Sequence, residues 1–207
     1  MNRTISLAAV LIVAGTACTK VIDGFDGFKW GASRTEIVEV RGAPNNVYDT
    51  IAVWSAPAGE SIGDHGIKTV FYYFREGCSE LKESISQPCK LSAGSYVLAT
   101  TSEADFEALT RTLGDKYGSY AESSETDDRK DYRTEELLAK ITTTRRKWKA
   151  PDKSSVEVTK RSYDRDFSDS LLRQNYHQGI FAIGVTYTSA YANEAGEKKV
   201  GIKTKSF

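Results

Sequence analysis

Three sets of residues in this 207-residue chain have the types and spacing for chemistry. The first is Gly59-Glu60-Ser61-Ile62-Gly63, followed directly by Asp64 and His65. Its G-x-S-x-G spacing is that of a nucleophile elbow, where a serine on a tight strand-to-helix turn is activated by a histidine and a carboxylate. The flanks argue for a loop instead. Ala56-Pro57-Ala58 precedes the motif, Gly63-Asp64-His65-Gly66 closes it, and no helix follows Ser61. A hydrolase centred on Ser61 therefore ranks last among the functions open to the chain.

The second set is the cysteines. Gly15-Thr16-Ala17-Cys18 ends a leader in which Arg3 supplies positive charge and residues 5–13 an apolar run. That run is too short to span a bilayer but suits a secretory signal. Small residues leading into a cysteine are how bacterial lipoprotein signals end, with Cys18 left to carry a diacylglycerol anchor. Gly15 stands where leucine is usual, and Gly15 with Ala17 also satisfies an ordinary signal-peptidase site, so plain secretion is the alternative. Residues 1–17 are expected to leave as a signal peptide and residues 18–27 to act as a tether. Thr19, not an aspartate, follows the cysteine, so the expected place is the outer membrane, facing the periplasm. In that oxidising compartment Cys78 and Cys89 are expected to pair, a loop closure that contributes about 3 kcal/mol in the chain-entropy account.

The third set is charged and aromatic. Lys and Arg number 28 and Asp and Glu also 28, so the basic field that a nucleic-acid partner requires is missing. The one basic run, Arg145-Arg146-Lys147-Trp148-Lys149, reads as a strand with Trp148 in the core and charged neighbours outside, or as a contact for anionic lipid head groups. His65 and His177 lack companions at ligand spacing, and Asp164, Asp166 and Asp169 lack the glycine and terminal glutamate of a calcium loop. No metal or cofactor is expected. Eleven tyrosines offer a surface for partners instead, and strand alternation forbids Tyr72 and Tyr73 from facing one core. Tyr72, Tyr73, Tyr187 and Trp148 are the candidate partner-contact residues.

The elements that must position these residues are legible from pattern. Ser33 with Glu36 forms a capping box, Ile37 and Val40 share a helix face, and Gly42 with Pro44 stops the helix. Strands are predicted over 47–55, 67–74 and 96–100, with 56–66 a loop. A second helix begins at Ser102, carries Phe106, Leu109, Leu113 and Tyr117 on one face, and ends at Gly118. Residues 121–133 read as a polar loop, then strands follow over 141–148, 156–160 and 180–188. The tail from residue 193 is polar. The expected fold class is α+β, two helix-plus-antiparallel-sheet halves in the order helix, three strands, helix, three strands, over residues 28–101 and 102–192.

Gly31, Ser33, Glu36, Ile37, Gly42 and Pro44 also carry a resemblance. The stretch G-A-S-R-T-E-I-V-E-V-R-G-A-P resembles the signature of the SmpA/OmlA family, the small lipoprotein of the β-barrel assembly machinery. The same module is similar to each half of the β-lactamase inhibitory proteins. Ala32 replaces the usual methionine, and Arg41 an apolar residue. The resemblance implies a non-enzymatic protein that works by binding other proteins. The expectation is a bacterial envelope lipoprotein serving as a protein-binding or assembly module, with an inhibitor of an extracellular enzyme, secreted or tethered, as the alternative.

Overall fold

The computed structural model describes residues 21–48, 50–75, 89–130, 137–163 and 179–195. The leader, Cys18, Cys78, the aspartates at 164–169, His177 and the tail beyond 195 lie outside the described residues.

The two longer helices start where side-chain chemistry tells them to; a third, over residues 190–195, follows the last strand. Helix α1 (Arg34–Arg41) is capped by Ser33, whose Oγ accepts from the Glu36 amide at 3.2 Å. The Glu36 carboxylate accepts in return from the Ser33 amide at 2.6 Å, completing the box. Helix α2 (Glu103–Tyr117) is capped by Ser102 and buries Phe106, Leu109 and Leu113. In α1 only Ile37 is buried; Val40 is 74% exposed, so the apolar stripe is one residue wide.

The chain opens with a hairpin, β1 (Gly24–Phe25) and β2 (Phe28–Lys29), turned by Asp26 and Gly27 in left-handed conformations. Asp-Gly is the pair a two-residue hairpin turn prefers. Nine further strands follow: β3 (Asn46–Tyr48), β4 (Ile51–Ser55), β5 (Ser61–Ile62), β6 (His65–Phe74), β7 (Leu91–Leu98), β8 (Ala121–Lys130), β9 (Leu137–Lys149), β10 (Ser155–Tyr163) and β11 (Gly179–Thr188). They form one antiparallel sheet in the order β3-β4-β6-β7-β11-β10-β9-β8, with β5 paired to β6.

This corrects the expected α+β layout of two helix-and-three-strand halves. Strand accounts for 53% of the described residues and helix for 21%, in a single continuous nine-stranded sheet. The physical source of the difference is β8, which had read as a loop. Its sequence AESSETDDRK has no apolar alternation because it is an edge strand held by cross-strand ion pairs. Arg146 Nε sits 2.7 Å from Glu122, and Arg145 pairs with Glu125. The expected tether also shortens. Ile22 and Phe25 are buried, so the fold begins by residue 22.

Alternation along the strands gives the sheet two unlike faces. One lies beneath α1, α2 and the β1–β2 hairpin. Trp54, Val70 and Tyr72 pack there with Ile37, while Trp148, Val156, Val158, Ile183 and Val185 pack with Phe106 and Leu109. Trp30, Ile62 and Tyr187 touch both clusters and join them. The ends of α1 and α2 are each fixed by a tryptophan. Trp54 Nε1 donates to the Gly42 carbonyl at 3.1 Å, and Trp148 Nε1 to the Gly118 carbonyl at 2.9 Å. These bonds satisfy carbonyls that a helix C-terminus leaves over.

Trp148 is 1% exposed. Replacing it by alanine empties a large core site and strands the Gly118 carbonyl, and is expected to cost about 3–5 kcal/mol. Denaturant titration checks this, and a loss below about 1 kcal/mol would contradict the assignment of Trp148 to the core.

Candidate binding surfaces

On the covered face the β1–β2 turn aims one acid into the molecule. The Asp26 carboxylate accepts from the Tyr72 hydroxyl, from Tyr96 at 3.1 Å and from Arg41 Nε at 2.8 Å. Arg41, at the end of α1, also grips Glu60 with both terminal nitrogens, at 3.0 and 2.5 Å. Two fork-to-carboxylate contacts fix the guanidinium plane, and its bonds to Glu60 and then Asp26 push its pKa up despite burial. Burial, then the neighbouring Asp26, pushes the Tyr72 and Tyr96 phenols up as well. Above the turn, Phe25 packs across Gly94, where a methyl group would overlap the ring. Beside it opens a cavity of about 390 Å³ lined by Phe25, Asp26, Ser61, Ile62, Tyr96 and Tyr187.

The serine motif gathers no catalytic set. Pairing places Ile62 opposite His65 and Ser61 opposite Gly66, so the Ser61 and His65 side chains leave opposite faces of the hairpin. His65 Nδ1 meets Asp105 at 3.1 Å, tying the hairpin to the start of α2. Hydrogen bonds from Ser102 hold the Asp105 carboxyl below its ordinary range. Among the described residues Ser61 has no hydrogen-bond partner that could act as its base.

The basic run is likewise spent inside the fold. Arg146 lies over the Phe106 and Tyr120 rings, at 4.6 and 5.3 Å, and pairs with Glu107 and Glu122. Arg145 pairs with Glu125, and Lys147 bonds Asn193. Trp148 is core, so it offers no surface. Tyr72 is fully buried beside Asp26 and offers none either. Tyr187 is half-buried on the covered face, between the two clusters. Cys89 is buried just before β7; its expected partner Cys78 lies outside the described residues.

Tyr73 alone among the four candidates faces the opposite side. Neither α1 nor α2 lies on that side; at its margin a short helix over residues 190–195 bonds Lys147 and Ser155 through Asn193. Its alternating residues are Phe71 and Tyr73 on β6, Ser95 and Val97 on β7, Ala182, Gly184 and Thr186 on β11, and Thr159 and Arg161 on β10. The middle two strands contribute small side chains, so the face dips between an aromatic wall and Arg161. Phe71 and Tyr73 stack at 6.3 Å, and the hollow between them and Arg161 encloses about 250 Å³. Three strand spacings separate the walls, about 14 Å. Past Arg161 lies a second hollow of about 410 Å³, where Tyr163 and Phe181 stack at 4.3 Å. Strict alternation along residues 180–188 would put Phe181 in line with buried Ile183 and Val185. A register shift beside Arg161 instead leaves it 38% exposed on this face. Arg161 is exposed and makes no ion pair or hydrogen bond among the described residues. It acts on Tyr73 at a distance, opposing the upward push of burial on that phenol.

Sequence pattern gave no reason to single out Asp26, Arg41, Glu60, Tyr96, Phe71, Arg161 or Phe181. The one available signal was Asp26-Gly27, a hairpin dipeptide. Comparison with protein-family models, curated proteins and solved structures finds no match to the chain.

The raised phenols set a pH dependence. Unfolded tyrosines lose their protons near pH 10, while Tyr72, Tyr96 and Tyr187 hold theirs in the fold. Above that pH the unfolded chain binds fewer protons, so stability falls as pH rises, by about 1.4 kcal/mol per unit for each phenol retained. Urea titrations from neutral pH upward are expected to bend downward near pH 10, less steeply for Tyr96→Phe. A profile as steep in Tyr96→Phe as in the wild type would contradict this.

Proposed function

We propose that this chain is an envelope lipoprotein, anchored through Cys18, that binds another protein on the open face of its sheet. The observation carrying the reading is the trough between the Phe71–Tyr73 wall and Arg161, floored by small residues and left open by α1 and α2. A contiguous patch of aromatic and aliphatic side chains rimmed by charge is the composition that protein interfaces favour. Arginine and tyrosine are also the residues that most often dominate such contacts. The capped-helix signature at residues 31–44 supports the same reading, since the families it resembles act by binding proteins.

The anchor suits this arrangement. Only Thr19, Lys20 and Val21 separate Cys18 from buried Ile22, a reach of at most about 14 Å. Ile22 belongs to the helix-covered side, so a lipid on Cys18 holds that side near the bilayer and leaves the open face to a partner.

Crosslinked capture from envelopes tests both parts. Phe71→Glu with Tyr73→Glu is expected to reduce recovery of the wild-type partner at least tenfold, while Arg111→Glu on the outer side of α2 leaves it unchanged. Cys18→Ser is expected to move the protein into the soluble fraction. Barrel-assembly components in the capture indicate an assembly role, and a single soluble enzyme an inhibitory one. Equal recovery by all variants would overturn the open-face reading.

A further inference from the structure

The cavity on the covered face has a chemistry of its own, independent of the open-face reading. Its lining holds one charged side chain, the Asp26 carboxylate, together with the Phe25, Tyr96 and Tyr187 rings. Asp26 Oδ2 is committed to Arg41 and Tyr72, whereas Oδ1 accepts only from Tyr96. A carboxylate oxygen has two lone pairs, so Oδ1 retains one acceptor position. Two further polar groups line the same space, the Ser61 and Tyr187 hydroxyls, and neither has a hydrogen-bond partner among the described residues.

Charge decides what fits. Behind the cavity wall, Arg41 is shared between two carboxylates, Asp26 and Glu60. Both terminal nitrogens of Arg41 already bond Glu60, and Nε bonds Asp26, so the guanidinium is not turned toward a ligand. An anion would meet the uncompensated acid of this cluster. A neutral apolar group would leave the second acceptor position of Oδ1 unfilled and shut off from water, which is costly in a low-dielectric site. An ammonium group supplies the missing positive charge and a donor for Oδ1, and aromatic faces attract its alkyl-substituted head. The volume, about 390 Å³, lies at the small end of ligand pockets.

We infer that this cavity is a binding site for a small alkylammonium group, held by Asp26 Oδ1 between the Tyr96 and Tyr187 rings with the Ser61 hydroxyl at its mouth. The group can arrive on a free amine or on a phospholipid head group. Both present the same cation to the same carboxylate.

Calorimetric titration of the purified protein with n-butylammonium, with glycerophosphoethanolamine and with neutral n-butanol tests the site. Saturable binding is expected for at least one of the two cations and not for butanol; the tighter of the two identifies the source. Asp26→Asn is expected to weaken that binding about tenfold to a hundredfold. Because Asp26 also supports the fold, Ser61→Trp is the second variant. It fills the mouth from a residue with no hydrogen-bond partner among the described residues, and is expected to abolish binding while circular dichroism stays that of the wild type. No saturable binding of either cation, equal binding of butanol, or undiminished binding by folded Ser61→Trp would each overturn the inference.

Discussion

The Asp26 carboxylate accepts from Arg41, Tyr72 and Tyr96, so one side chain on a two-residue turn ties the start of the chain to α1, β6 and β7. Taking carboxylates and a guanidinium out of water costs several kcal/mol per ion, and close, multiply bonded geometry is what offsets it. The cluster meets that condition, because Arg41 bonds two acids and Asp26 accepts from three donors. Its consequence is architectural. The Phe25 ring holds the hairpin against Gly94, and the hairpin with α1 and α2 covers one face of the sheet. The other face of the sheet is left free of α1, α2 and the hairpin.

How much of this could be read from sequence varied with the kind of interaction. Helix starts and stops were plain, because Ser33, Glu36, Ser102 and Gly118 act on backbone groups within a few residues. The strands around Val70 and Val185 were plain for the same reason, since their burial alternates locally. β8 was invisible, because Glu122 and Glu125 find their reason only in Arg146 and Arg145, some twenty residues away. The same blindness hid the covered-face cluster, whose members span Asp26 to Tyr96. It also hid the open trough, because which of two adjacent tyrosines faces outward depends on register. Phe181 shows the limit most clearly: its alternation pointed inward, and one register shift turned it out.

The two faces suit two kinds of contact. The covered face offers an acidic, aromatic-lined cavity, a shape for a small cation. The open face offers width, aromatic walls, a floor of small side chains and the exposed Arg161, a shape for another protein. The basic run at 145–149, which composition alone marked as a surface feature, serves neither. Arg145 and Arg146 fasten β8 and α2 to the sheet, and Lys147 bonds Asn193.

The central claim is that the open face, and not the helix-covered face, receives the partner. Photocrosslinking in intact envelopes from a benzophenone side chain at position 73, compared with one at position 111 on α2, tests it most directly. The account predicts a discrete crosslinked species from position 73 and none from position 111. The same species from position 111, with none from 73, would contradict it.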